Sequence, residues 1–159
     1  MKENGPAILV AVDGSLPSEN AVRYGARLAK TLGARVSLFH VMESDKIGYW
    51  LFIDRHFHKE LEKAAQQVIE AAEKILQAAG VAYTVETKEG TQAVYLEIVH
   101  KIETTPGVVA LVMGDRGVCL REHHILGSTT ERVIREVAKR ALPVAVTIVP
   151  EKLALDAAL

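Results

Sequence analysis

The chain reads as a doubly wound α/β protein built on a five-stranded parallel sheet with helices on both faces. Three observations predict it. Five short apolar runs alternate with four segments whose apolar residues recur at helical spacing, in the order β-α-β-α-β-α-β-α-β. Two of the runs, 8–12 and 108–113, are apolar without interruption and two others nearly so, as strands buried on both faces of a parallel sheet are. Glycines stand just past two of the helical segments, where a left-handed C-cap is expected.

The first run, Ile8-Leu-Val-Ala-Val12, is apolar throughout. The helical segment after it places Ala21, Gly25, Leu28, Ala29 and Leu32 on one face and stops at Gly33, with Ser15 or Ser18 as candidate caps. Val36-Ser-Leu-Phe-His-Val41 is the second strand. The second helix carries Leu61, Ala64, Val68, Ala71, Ile75 and Ala79 on one face and stops at Gly80. Val81-Ala-Tyr-Thr-Val85 alternates more than the other runs and reads as an edge strand. A third helix is expected over Thr91 to Glu103, with Val94, Ile98 and Ile102 in register, before the breaker Thr105-Pro-Gly107. Val108 to Met113 is the fourth strand. Ser128-Thr-Thr-Glu131 has the spacing of a capping box and opens the fourth helix, which runs to Arg140. Val144-Ala-Val-Thr-Ile-Val149 closes the series.

Composition narrows the function. At 159 residues, 49% of them apolar, the chain fits a single domain over 1–159 with a real core. A formal net charge of −1 supplies no electrostatic footprint for nucleic acid or for an anionic membrane. The single cysteine, Cys119, allows no internal disulfide framework and suits a reducing compartment. No apolar run approaches the ~20 residues that span a bilayer, and the N-terminus lacks the blocks of a signal peptide. A cytoplasmic protein without membrane insertion is the expectation.

The stretch that carries chemistry is Gly114-Asp-Arg-Gly117, nine further residues, and then Gly127-Ser-Thr-Thr130. It leaves a strand and enters a helix, and a helix N-terminus offers unpaired N–H donors and a positive dipole end to an anion. In open α/β sheets ligands bind beyond the carboxyl ends of the strands, where the winding direction reverses. Asp13-Gly14-Ser15, Val41-Met42 and Gly114 all stand at such ends. If the strand order is 3-2-1-4-5, strands 1 and 4 flank the switch point and these segments share one pocket. Each also has a plain structural use. Asp13-Gly14-Ser15 suits a turn, the Ser128 hydroxyl suits a helix cap, and His40, inside an apolar strand, suits a hydrogen-bonded core histidine. His123-His124 and the pair His56 and His58 have no partners at a familiar metal-ligand spacing. There is no Gly-x4-Gly-Lys-[Ser/Thr] loop and no Gly-x-Ser-x-Gly elbow, so binding without dedicated catalysis is expected, with slow hydrolysis of a bound phosphate compound as an alternative.

Several of these pieces occur together in one known family. Ile8-Leu-Val-Ala-Val-Asp-Gly-Ser15, Ala29-Lys-Thr-Leu-Gly33, Leu38-Phe-His-Val41, Gly114-x2-Gly117-x9-Gly127-Ser128 and Leu142-Pro-Val-Ala-Val-Thr-Ile-Val149 resemble the universal stress proteins over nearly the whole chain. The glycine spacing is similar to that family's ATP-binding pattern. The resemblance implies a Rossmann-like sheet of order 3-2-1-4-5 and a homodimer joined through the last strand, 144–149. It also implies an adenine nucleotide, ATP or else ADP or AMP, with Mg as its accompanying ion. Asp13 and Val41 would lie against the adenosine, Gly114 and Gly117 would let the chain follow ribose and α-phosphate, and Gly127, Ser128 and Thr129 would receive the outer phosphates. Arg121 is the mobile cation expected in the loop, and Ala11, Met113, Arg116 and Thr130 complete the implied nucleotide contacts. Two acidic residues depart from this picture. Asp115 and Glu122 must point away from phosphate or share a divalent ion with it, and Arg116 or the partner subunit is the expected mate of Asp115. Tyr49-Trp-Leu-Phe-Ile53 is an apolar connection that suits a packed lid or short helix, or else a surface for an unknown protein partner. The functional expectation is a dimeric, nucleotide-dependent regulatory module of the stress response; the alternative is an interaction protein of the same fold that ignores nucleotide.

Overall fold

A computed structural model describes residues 5–43, 55–116 and 126–152, with side chains in the second helix from residue 58 onward. Nine elements follow in chain order: β1 Ala7–Val12, α1 Leu16–Leu32, β2 Arg35–Met42, α2 Arg55–Ala79, β3 Tyr83–Glu89, α3 Val94–Thr104, β4 Val108–Gly114, α4 Ser128–Lys139 and β5 Ala145–Val149. The five strands form one sheet of order β3-β2-β1-β4-β5, and every neighbouring pair is parallel. The doubly wound fold and its strand order are therefore as the sequence reading expected.

Strand alternation sorts the core into two layers. Ile8, Val10, Val12, Val36, Leu38 and Val112 face one side, where α1 and α2 cover them with Ala21, Val22, Ala29, Ile69 and Leu76. Leu9, Ala11, Phe39, Val41, Leu111 and Met113 face the other side, under Ile98 and Ile102 of α3 and Val133 and Val137 of α4. All six residues of β1 are buried, which explains why that run is apolar without a break. The two edge strands differ: in β5 only Val149 is buried, and in β3 no residue is.

Helix ends follow local rules. Ser15 caps α1, its hydroxyl oxygen accepting from the Ser18 N–H, and Pro17 sits in the first turn where its missing donor costs nothing. Gly33 closes α1 at φ +60°, and its N–H returns to the carbonyls of Ala29 and Lys30. Leu32, expected on the buried face, is 51% exposed because it lies in the last turn, from which the chain turns back into β2.

Three expectations need correction. In α2 the residues pressed onto the sheet are Ala65, Ile69, Ala72 and Leu76, one position displaced from the expected face. The helix carries two adjacent apolar rows, and only docking against α1, β2 and β3 chooses between them. β3 covers 83–89 rather than 81–85, since its pairing with β2 runs from Tyr83 opposite Val36 to Glu89 opposite Met42. As an edge strand it tolerates polar residues along that length, while Val81 and Ala82 serve as connection. α3 begins at Val94 rather than Thr91, because the Thr91 N–H and hydroxyl are engaged by the Glu97 carboxylate. The apolar 49–53 segment lies outside the described residues.

Candidate functional site

The carboxyl ends of β1, β2 and β4 and the N-terminus of α4 enclose a cleft of about 400 Å³. Ala11, Asp13 and Val41 line it from the first two strands; Met113, Gly114 and Arg116 line it from β4 and its exit; Gly127, Ser128, Thr129 and Thr130 line it from α4. Gly117 and Arg121, with Cys119, Glu122, His123 and His124, lie outside the described residues. Sequence reasoning missed the rest of the wall. Phe39, Val94 and Ile98 floor one side, and Leu61, Ala64, Ala65 and Val68 of α2 form the other. Their helical periodicity announced core, but nothing local says which turn of a helix overhangs a strand end.

One end of the cleft is an apolar slot with a single aimed acceptor. Ala11, Phe39, Val41, Ile98 and Met113 supply buried apolar surface. The β1–β2 ladder ends at Val12 opposite His40, so Val41 continues past the end of β1. The Met42 carbonyl accepts from the Gly90 N–H on the β3 side. Successive residues of a strand direct their polar groups to opposite sides, so the Val41 carbonyl faces the cleft. His40 Nδ1 lies 2.8 Å from the Val12 carbonyl oxygen and donates to it. This is the hydrogen-bonded structural histidine that its apolar strand suggested.

The other end is the N-terminus of a helix. Gly127 is the N-cap of α4 at φ −67° and ψ 152°, and Ser128, Thr129 and Thr130 follow inside the first turn. Amides in a first turn have no helical carbonyl to reach. The expected capping box does not form. A capping serine must precede the helix, whereas Ser128 is already helical and makes no cap bond; Glu131 instead receives Arg135 at 2.6 Å. The Ser128 side chain is thus left exposed at the cleft. Thr130 differs: it is 3% exposed and its hydroxyl donates to the Gly114 carbonyl at 3.0 Å, tying α4 to β4.

Local structure explains some of the remaining residues without any ligand. Asp13 Oδ1 accepts from the Ser15 N–H at 3.0 Å and from the Ser15 hydroxyl at 2.6 Å, a side-chain turn that starts α1. Gly114 is required by close approach: a Cβ there would lie 2.7 Å from Pro17 Cβ and 2.9 Å from the Pro17 carbonyl carbon. Gly114→Ala is therefore expected to cost about 1–3 kcal/mol by overpacking. Urea denaturation checks this, and an unchanged midpoint would refute it. Asp115 turns its carboxylate to Arg116, with Oδ2 3.6 Å from Nε, as the first of its two expected mates. Arg116 also meets Glu151 at 3.5 Å, and Asn20 Nδ2 donates to the Glu151 carbonyl at 2.8 Å, so the segment after β5 is moored beside the cleft.

The connection from β3 to α3 is anchored by a buried charge. Glu97 is 0% exposed; its Oε1 accepts from the Thr91 N–H at 3.1 Å, and its Oε2 lies 2.6 Å from Lys88 Nζ. Burial pushes its carboxyl up, but the hydrogen bonds from Lys88 and Thr91 and the Lys88 charge together outweigh it, so the net shift is downward. Among the described residues no group of three or more His, Cys, Asp or Glu could hold a metal, and no helix is long and apolar enough to cross a membrane.

A family model described as the universal stress protein family matches residues 6–149. The chain belongs to the universal stress protein family. A Staphylococcus haemolyticus relative that carries the family's name is 26% identical over 144 residues, covering 91% of this chain and 87% of the relative. Among solved structures, the hypothetical protein MJ0577 is 25% identical and superposes with a TM-score of 0.77 over 94% of this chain and 98% of its own. A universal stress protein from Archaeoglobus fulgidus, solved in complex with dAMP, is 18% identical with a TM-score of 0.65, over 91% of this chain and 96% of its own. At that identity the likeness is one of fold.

Proposed function

We propose that this universal stress protein is a single domain over 1–159 that binds an adenine nucleotide and, as a cytoplasmic homodimer, uses its occupancy to bias contacts with a protein partner. The observation that carries the reading is the joining, in one cleft of about 400 Å³, of an apolar slot and an anion-binding helix terminus. Adenine is a flat apolar ring with an exocyclic amine, which suits the slot and the carbonyl of Val41. Phosphate suits the amides of Ser128 and Thr129. In this reading Ala11 and Met113 sandwich the base and Asp13 lies toward the ribose. Gly114 and Gly117 border the α-phosphate, Gly127 the outer ones, and Thr130 contributes its amide. ATP is the favoured ligand, with ADP or AMP as alternatives and Mg as its counter-ion. Arg116, which lines the cleft, and Arg121, which lies outside the described residues, are the cations this reading assigns to its phosphates. The dAMP held by the Archaeoglobus protein supports the ligand class. Half-buried Val146 and Ile148 on an edge strand support pairing of two copies through 144–149.

The test is direct. Protein purified without added ligand is expected to release adenine nucleotide detectable by mass spectrometry. ATP at about 100 times its Kd should stabilise the fold by about 2.7 kcal/mol, which raises Tm by at least ~5 °C. No retained nucleotide and no shift with ATP, ADP or AMP would overturn the reading. A nucleotide-independent interaction protein is the second reading. It is favoured by Gly114 and Asp13, which already have architectural uses against Pro17 and Ser15.

A further inference from the structure

Beside the first cleft lies a second, of about 340 Å³, between the β3–α3 connection and α4. Gly90, Gln92 and Tyr95 line one side, and Ser128, Thr129 and Arg132 line the other. The two clefts are continuous, since Val41, Val94, Ser128 and Thr129 border both. Ser128 and Thr129, the start of α4, form the sill between them.

Arg132 stands apart from the other cations of α4. Arg135 pairs with Glu131, Lys139 with Glu136, and the capping Arg140 with both Glu136 and Glu103. Among the described residues Arg132 has no carboxylate partner; its guanidinium instead lies over the Tyr95 ring, 5.5 Å from the centroid. Stacking of this kind holds the planar group in place while leaving its N–H edge available. Ser128 and Arg132 are four residues apart and so share a helical face. That face presents first-turn amides and then, one turn along, a fixed positive charge.

We propose that this second cleft takes the terminal phosphoryl groups of an adenine nucleotide, with Arg132 as the residue that selects di- and triphosphates over monophosphates. The inference rests on the nucleotide reading of the first cleft and adds to it a direction for the phosphate chain. From the amides of Ser128 and Thr129 the chain crosses the sill toward Arg132 rather than returning along the strand ends. A monophosphate, whose single group stays beside Gly114 in the first cleft, does not reach Arg132. A guanidinium donating to a phosphate oxygen forms a charge-assisted hydrogen bond, among the stronger polar contacts available to a protein.

Calorimetric titration of ATP, ADP and AMP at fixed ionic strength tests this in the wild type, Arg132→Gln and Arg132→Lys. The wild type is expected to bind ATP and ADP more tightly than AMP. Arg132→Gln should weaken ATP by about tenfold and leave AMP unchanged, while Arg132→Lys, which keeps the charge, should retain most of the ATP affinity. Arg132 is exposed, so the melting temperature without nucleotide should not move. Equal weakening of ATP and AMP by Arg132→Gln, or no weakening of either, overturns the selection by Arg132 and leaves nucleotide binding standing. A wild type that binds none of the three overturns both.

Discussion

Ser128→Asp is expected to abolish nucleotide binding while leaving the fold as stable as before or slightly more so. The two effects have opposite signs because one helix terminus serves both. Ser128 is exposed, makes no cap bond and stands at the first helical position of α4. A carboxylate there complements the positive end of the helix, worth about 0.3–1 kcal/mol. The same carboxylate would stand within about 4 Å of a bound phosphate, where like charges repel by about 4 kcal/mol at an effective dielectric near 20. That is on the order of a thousandfold in Kd. Titration calorimetry with ATP beside thermal melting without it separates the two. A Kd within threefold of wild type would remove the phosphate from α4. The variant also divides the functional readings: a regulatory module loses its response to nucleotide, whereas a nucleotide-independent interaction protein behaves as the wild type.

Lys88→Met is expected to cost about 3 kcal/mol near neutral pH. Glu97 is fully buried and Lys88 is its only charged partner among the described residues, whereas Lys88 itself is 34% exposed. Removing the lysine strands a charge in the interior, which is costlier than removing both members of the pair. The partial exposure of Lys88 puts the value at the low end of the range for such losses. The pH dependence carries a sign. In the wild type the folded Glu97 pKa lies below its unfolded value, so its contribution is present above the unfolded carboxylate pKa and is lost as pH falls through the folded one. In Lys88→Met both lowering effects of the lysine are lost while burial remains, so the folded pKa lies higher than in the wild type. The variant then gains stability relative to wild type as pH falls and Glu97 protonates. Urea midpoints at pH 7 and pH 5 check this; a deficit that stays constant or widens at pH 5 would contradict it. Because Thr91 and Glu97 hold the connection that lines the second cleft, the same variant should also loosen that wall.

Much of the fold was legible for a local reason. β1 and β4 announced themselves because strands covered on both faces need apolar side chains at nearly every position, and such a run has few other uses; in β2 only Ser37 and His40 interrupt the run 36–41. Gly33 and the turn at Asp13 were equally plain, since caps and turns are settled within a few residues. β3 was read two residues early, and its polar half was missed. An edge strand is held by its partner's hydrogen bonds, and Glu86 to Glu89 carry no periodic mark of that. The capping box failed for a related reason. Ser128 to Glu131 has the spacing, yet whether a serine precedes a helix or begins it depends on the angle at which the chain arrives from β4, a matter decided by Thr130 bonding back to Gly114.

The candidate site divides the same way. Its polar landmarks, Asp13, Gly114 and Gly127 to Thr130, stand out in sequence because glycines, turn formers and a helix start are rare together after a strand. Its apolar slot does not, since Phe39, Val94 and Ile98 look like any other core residues. Gly114 suggests room for a ligand; it lines the cleft, and it is also room for Pro17.

By itself the sequence determined the alternation of elements, the winding of the sheet and the glycine-marked turns that lie at its carboxyl end, because these depend on periodicity and backbone freedom over short distances. Only the tertiary structure decided which row of α2 meets the sheet, that the Val41 carbonyl overlooks the end of β1, and that Arg132 reaches a second cleft across from Tyr95. Those outcomes depend on how elements far apart in the chain pack against one another, and the free energy of that packing is not recorded in any one segment.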